Sequence, residues 1–290
     1  MKVVLISTMP PIDENKRIGE EVNALGDEFI YTDLRDFTLE IIKGEVKVKG
    51  VTDIDADVVI VRGILQSIKV ISALVRQLRS RGVKVFDNNF LEHEYSINKV
   101  TDLTKLAYKN IPVPDTYNAN NFEAFYDLAK KAKFPAIVKS TKMGKGASVY
   151  KVDNNDELTE LITEFEESEK KAKNYIIQEY IPYEYDIRAL TIGTEVFAMR
   201  RIPAKGEFRA NFSLGGDVEL IELDNEAKIL AIKALKAIDM TVGGVDILIT
   251  KDNKRYILEV NHNAGFLGME KATGKNIGKI FVEHAISNSF

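Results

Sequence analysis

The stretch from Gly243 to Asn263 constrains this chain most. It reads Gly-Gly-Val-Asp246-Ile-Leu-Ile-Thr, then Lys251-Asp252-Asn253-Lys254, then Arg-Tyr-Ile-Leu-Glu259-Val-Asn261-His262-Asn263. β-Branched and aliphatic runs, bounded by glycine and separated by a polar turn, predict an antiparallel hairpin. Side chains alternate across a strand, so Glu259 and Asn261 share one face, and the partner strand can bring Asp246 beside them. Two carboxylates and an amide oxygen at the open end of a hairpin form a hard, oxygen-only set that suits Mg²⁺ shared with phosphate. Taken alone, the same residues also fit a charged strand edge that discourages pairing.

What else the chain contains narrows the chemistry. There is no cysteine, so disulfides, thiolate metal sites and cysteine nucleophiles are excluded. His93, His262 and His284 are too scattered for a zinc site, and no Ser-His-Asp order or nucleophile elbow is present. A formal net charge of -4 over 290 residues gives no reason to expect nucleic-acid binding. The apolar start, Met1 to Ser7, is too short for the core of a signal peptide, and no later run approaches a membrane span. The expectation is a first buried strand in a cytoplasmic protein. Chemistry must come from carboxylates, Lys, Arg and backbone.

Along the chain, residues 1 to about 90 alternate strand and helix: strands at Lys2–Ser7, Asp57–Val61 and Val83–Phe86, helices at Glu14–Leu25 and Ile68–Arg81. That pattern predicts a small α/β layer with a parallel sheet. Thr38 to Lys49 reads as an inserted hairpin turning at Lys43-Gly44, with no chemistry of its own. A helix over Ser96–Asn110 is expected to end at Pro112 and Pro114, near a domain seam. A helix from Phe122, a strand ending at Lys139, a strand at Ser148–Val152 and a charged helix at Glu157–Lys173 follow. Then come three strands in series, Tyr175–Ile181, Asp186–Ile192 and Glu195–Ile202, a loop from Pro203 to Gly216 and an amphipathic helix at Glu226–Ile238.

Several constellations stand beside the hairpin. Lys139 closes an apolar strand and precedes a loop with Gly144 and Gly146, whose backbone N–H groups can face phosphate. Neither the Walker order nor the dinucleotide glycine fingerprint is met, so taken alone the loop reads sooner as a plain turn than as a phosphate loop. Gln178-Glu179-Tyr180-Ile181 can read an adenine edge through backbone groups. Asp186 and Arg188 share a strand face, and Arg200, Arg201 and Arg209 add cations suited to phosphate or carboxylate, or to surface ion pairs.

Taken in order, Lys99, Lys139, the Gly144 loop, Gln-Glu179-Tyr180-Ile, Asp186-Ile-Arg188, Arg209-x-Asn211 and the Asp246, Glu259, Asn261 set resemble the carboxylate-amine ligases of the ATP-grasp superfamily. Gln-Glu-Tyr-Ile, Asp-Ile-Arg, Gly-Glu-Phe-Arg-x-Asn-Phe, Gly-Val-Asp-Ile-Leu, Glu-Val-Asn and Gly-Phe-Leu-Gly-Met-Glu-Lys-Ala-Thr-Gly are similar to the RimK-type α-L-glutamate ligases. The resemblance runs from about Ser96 to the C-terminus; residues 1–90 share only the α/β pattern. It implies a combined α/β and α+β architecture, the ATP-grasp fold. Residues 1–90 would be an N-terminal domain and 91–290 the ATP-grasp domain, with a lid at about 113–177 and a metal and substrate subdomain at about 178–290.

The resemblance further implies ATP and Mg²⁺, with Mn²⁺ as a substitute. Lys99, Lys139, Gly144 and Gly146 would meet the phosphates, Gln178, Glu179, Tyr180, Ile181 and Asp186 the adenine and ribose, and Asp246, Glu259 and Asn261 the metal. Arg188, Arg201 and Arg209, supported by Asn211, would contact the transition state or the acceptor carboxylate. The implied substrates are an amino acid, glutamate by analogy, and a carboxylate on a peptide or protein C-terminus or a small metabolite. No nucleic acid or membrane partner is implied; homo-oligomers are common in the family. One departure stands out: the family continues Ala-Ser-Pro-Gly after Glu-Val-Asn, whereas this chain has His262-Asn263-Ala264-Gly265.

Overall fold

The computed structural model describes residues 1–8, 12–49, 54–64, 68–89, 98–141, 148–204, 206–209 and 217–290. Three sheets and a separate two-stranded hairpin make up its β-structure. The first sheet joins β1 (Lys2–Ser7), β2 (Glu28–Asp33), β5 (Val58–Val61) and β6 (Lys84–Phe86) in the order β2-β1-β5-β6, all parallel. The β-branched runs of the central strands β1 and β5 are buried on both faces. The crossovers are α1 (Asp13–Ala24) and α2 (Ile68–Ser80). β3 (Thr38–Ile42) and β4 (Glu45–Lys49) form the expected hairpin, with Lys43 at φ 53 and Gly44 at φ 82 in its turn.

The edge strand β2 escapes the sequence pattern. Its apolar run is only Phe29-Ile30-Tyr31, flanked by Glu28 and by Thr32-Asp33, as suits an edge strand that is no more than half-buried. α3 (Lys99–Tyr108) starts at the cap Asn98, whose side chain accepts from the N–H groups of Val100 and Thr101. The helix ends at Tyr108, and Asn110 turns into the left-handed region with φ 54, before either proline is reached.

The second sheet has the order β7-β10-β8-β9, formed by Thr116–Tyr117, Tyr175–Glu179, Ala136–Ser140 and Val149–Val152. α4 (Phe122–Ala129) and α5 (Asn155–Glu167) pack on it around Phe125, Leu158, Ile162 and Phe165. α5 begins earlier and ends sooner than its charge pattern suggests. Asn154 caps it, and Glu169 in the left-handed region closes it.

The third sheet is antiparallel, β13-β12-β11-β14-β15: Asp217–Ile221, Glu195–Ile202, Tyr185–Ile192, Val242–Ile249 and Arg255–Asn261. Its outer strand β13 is exposed and was not legible as a strand. One face carries Ile187, Ala189, Val245, Ile247, Ile257 and Val260 against α6 (Asn225–Ala237). The other face divides. Its apolar half, Leu190, Ile192 and Phe197, shares a core with β1, β5 and α8 (Ile277–Ser287), while its polar half carries the residues described next. Between them in sequence lies α7 (Leu267–Thr273), whose Glu270 binds Arg17 of α1 at 2.7 Å. Among the described residues no helix is long and apolar enough to cross a membrane.

Candidate active site

Strand register builds the site. Arg188 of β11 lies opposite Asp246 of β14, and Asp246 opposite Glu259 of β15, so one row of charged side chains crosses three strands. The next row pairs Asp186 with Arg201 of β12. Glu259 takes its place by an irregularity. Ile247 pairs with Ile257, but Asp246 pairs with Glu259, so Leu258 is an extra residue on β15. In unbroken alternation Glu259 would share a face with Ile257 and point into the core; the bulge re-aims it beside Asp246. Asn261 follows on the same face, opposite Gly244. A Cβ on Gly244 would stand 3.1 Å from Ala264 Cβ, so glycine lets the turn after β15 close over the strand.

The charges interlock. Arg188 donates to Asp246 Oδ2 at 2.8 Å and also contacts Oδ1. Arg201 donates through Nε to Asp186 at 2.5 Å, with its NH2 at 3.0 Å from Asp186 and 3.1 Å from Asp246. Burial disfavours the Arg201 charge, but Asp246 and Asp186 outweigh it and hold the guanidinium protonated beyond its ordinary range. Burial pushes the Asp186 carboxyl up against the pull of Arg201. Lys99, the first residue of α3, reaches Glu259 Oε2 at 2.5 Å, and Asn261 Nδ2 lies 3.4 Å from the other oxygen. Burial raises the Glu259 carboxyl, yet Lys99 and Lys139 more than offset it and hold the group at about 2. Lys139, on β8 of the second sheet, is buried, which pushes its ammonium down to about 8. Four cations, Lys99, Lys139, Arg188 and Arg201, thus face three carboxylates, Asp186, Asp246 and Glu259. Such a cluster favours a polyanion.

Among the described residues no three His, Cys, Asp or Glu side chains converge as a complete metal cage. Asp246, Glu259 and Asn261 supply two carboxylates and an amide. That set fits a hard cation whose remaining ligands are phosphate and water.

The other predicted residues lie around this cluster. Gln178 is buried on β10 and donates to Thr116 Oγ1 at 2.9 Å, and Glu179 donates its N–H to Asp115 O at 2.8 Å. Tyr180 carries the Lys151 ammonium 5.5 Å from its ring centroid, and Ile181 is buried. These residues lead the chain from the second sheet into the third. Arg209 is not drawn into the row: its fork closes on Glu207 at 2.8 Å, two residues back. Gly144, Gly146 and Asn211 lie outside the described residues. Sequence reasoning missed Asp102, which meets His262 Nε2 at 2.8 Å, and Arg62, whose NH2 donates to Ala264 O at 2.9 Å. No local pattern links residues so far apart; the sole hint was the unusual run after Asn261.

The family model for the RimK-like ATP-grasp domain matches residues 96–285. The chain belongs to the RimK-like ATP-grasp family. A probable alpha-L-glutamate ligase of Marinomonas sp. (strain MWYL1) is 30% identical over 296 residues, covering 100% of this chain and 97% of that one. Among solved structures, the ATP-grasp ligase PsnB, complexed with a phosphomimetic variant of its minimal precursor, Mg and ADP, is 21% identical with a TM-score of 0.74. The match covers 98% of this chain and 97% of PsnB. A RimK domain ATP-grasp protein from Sphaerobacter thermophilus DSM 20745 is 18% identical with a TM-score of 0.72, over 98% and 99% of the two chains. These likenesses show the ATP-grasp fold. The RimK-like chain is therefore an ATP-grasp ligase, an enzyme class that forms C–N bonds.

Proposed function

We propose that this RimK-like ligase joins an acceptor carboxylate to the amine of an L-amino acid, glutamate by analogy with its relatives, at the expense of ATP. The observation that carries the reading is the cross-strand row Arg188–Asp246–Glu259, capped by Lys99 and faced by Lys139 from the second sheet. In this reading the sheets of residues 116–179 and 185–261 are the jaws that hold nucleotide. Lys99 and Lys139 bind its phosphates, Gln178 to Ile181 and Asp186 its base and sugar, and Gly144 and Gly146 extend the phosphate loop. Asp246, Glu259 and Asn261 hold Mg²⁺, which when bound neutralises phosphate charge.

The chain's own residues account for the remaining needs. Arg188 and Arg201 are held rigid by Asp246 and Asp186, so their unused donors are fixed before substrate arrives. The acceptor carboxylate oxygen bonds to the γ-phosphorus as ADP leaves. The amine then bonds to the acyl carbon, and phosphate departs with that oxygen. Charge grows on the phosphoryl and then on the tetrahedral centre, where fixed guanidinium groups act without reorganising. Arg209 and Asn211 would add to the contacts with the acceptor carboxylate. PsnB and its precursor favour a peptide or protein acceptor over a small metabolite. The reading is tested by incubating the enzyme with ATP, Mg²⁺, each amino acid and glutamyl peptides. ADP release should require both substrates, and the peptide should gain one residue's mass; ADP release with no amide product would contradict it.

A further inference from the structure

Arg62 follows β5, at the carboxyl end of the first sheet. The strand order β2-β1-β5-β6 reverses direction between β1 and β5. In open parallel sheets that reversal leaves a crevice beyond the strand ends where ligands bind. Arg62 sits in this crevice, 8% exposed, with its backbone N–H on Ile6 O at 3.0 Å. Its guanidinium carbon lies 5.9 Å from the ring centroids of both Phe266 and Phe281. One arm donates to Ala264 O at 2.9 Å and the other reaches Asn15 Oδ1 at 3.5 Å. Among the described residues no carboxylate forms an ion pair with it, although the charge of Glu14 is felt there.

A buried guanidinium with five donors and, among the described residues, no carboxylate paired to it is costly, because burial strips its water without a paired counter-charge. A second group shares the deficit. Asn15, 1% exposed, turns its oxygen to Arg62, which can only donate, and its buried Nδ2 has no hydrogen-bond partner. Donors outnumber acceptors on both sides of the same contact. Beside Arg62 is a cavity of about 20 Å³, lined also by Asn88, His262, Asn263 and Ala264. It lies at the turn that departs from the family pattern. Ala264 connects it to the reaction centre, since a Cβ on Gly244 would meet Ala264 Cβ at 3.1 Å and both Arg188 Cδ and Asn261 Cβ at 3.5 Å.

We propose that Arg62, with the His262–Ala264 turn, is a carboxylate-binding subsite that seats a substrate carboxylate other than the reacting one. The N-terminal sheet thereby takes part in substrate choice. The proposal rests on the ligase reading for the position of the reaction centre. Two sources of the carboxylate are chemically equivalent: the α-carboxylate of the incoming amino acid, and a second carboxylate on the acceptor.

The test is calorimetric titration of wild type and Arg62→Gln, each with Mg²⁺ and a non-hydrolysable ATP analogue. One arm compares glutamate with its α-carboxamide; the other compares an acetylated glutamyl peptide with its C-terminal and side-chain amides. In one arm wild type should prefer the carboxylate by about tenfold or more, and Arg62→Gln should lose that preference. The arm that responds names the source. Arg62→Lys, which keeps charge without the fork, should retain part of the preference, and it serves as the readout if Arg62→Gln fails to give a wild-type melting curve. Equal preferences in wild type and variants, or no binding of any ligand by wild type, overturn the subsite. Turnover with an unchanged carboxylate preference sinks the subsite alone; carboxylate binding through Arg62 without turnover sinks the ligase reading alone.

Discussion

Lys139 is the residue in which sequence, burial and chemistry meet most directly. It ends an apolar strand, so the fold carries its ammonium into the interior, and burial lowers it to about 8 while Glu259 opposes the shift. Nucleotide phosphates would restore the missing counter-charge and favour the protonated form. Binding then takes up a proton when the pH exceeds about 8. Affinity for a non-hydrolysable ATP analogue should fall as pH rises through that value, by up to about tenfold per unit. Titrations at neutral and alkaline pH check this, with Lys139→Met expected to bind weakly and without the pH slope. A wild-type affinity unchanged over that range would remove Lys139 from the phosphate site. Alternation put Glu259 and Asn261 on one face of their strand, and a hairpin partner could bring Asp246 beside them. The bulge at Leu258 that aims Glu259 was hidden, since a bulge depends on the partner strand's register.

At the scale of elements, α3 and β15 are stapled twice. Lys99 and Asp102 lie three residues apart on one helix face, and they meet Glu259 and His262 at the end of the strand. The helix proposed to supply a phosphate contact is thus fixed to the hairpin proposed to supply the metal ligands. Asp102→Ala would leave the buried His262 without this partner, a loss of about 1–3 kcal/mol. A fall in melting temperature of roughly 2–4 °C per kcal/mol is expected for a chain of this size. An unchanged melting curve would mean the second staple does not hold the helix. Strong runs such as β1, β14 and β15 were legible in the sequence, as was the amphipathic α6. The edge strands β2 and β13 were not, because their exposed faces weaken the apolar pattern. α8 went unread too: its apolar face answers to β1 and β5, which lie at the other end of the chain.

For the whole molecule, the distribution of cores sets what can move. The first and third sheets share one core, in which Leu5 and Ile60 join Leu190, Phe197 and Phe281. The second sheet has a core of its own, built from residues between Ala119 and Ile177. A sheet with a separate core can swing as a body, whereas two sheets in one core move together. Hydrogen exchange with and without the ATP analogue and Mg²⁺ should therefore show new protection in β8, in β10 and at the start of α3. Little change is expected along β1 and β5. Protection spread evenly over all three sheets would contradict closure of the second sheet on the third.

In the proposed reaction an acceptor carboxylate is activated by phosphoryl transfer and then captured by an amine. The most direct measurement uses an acceptor whose carboxylate oxygens carry ¹⁸O, followed by mass analysis of the inorganic phosphate released. Each phosphate should carry one labelled oxygen, and the amide product should have lost one label. Unlabelled phosphate, with product still formed, would contradict the acyl-phosphate route.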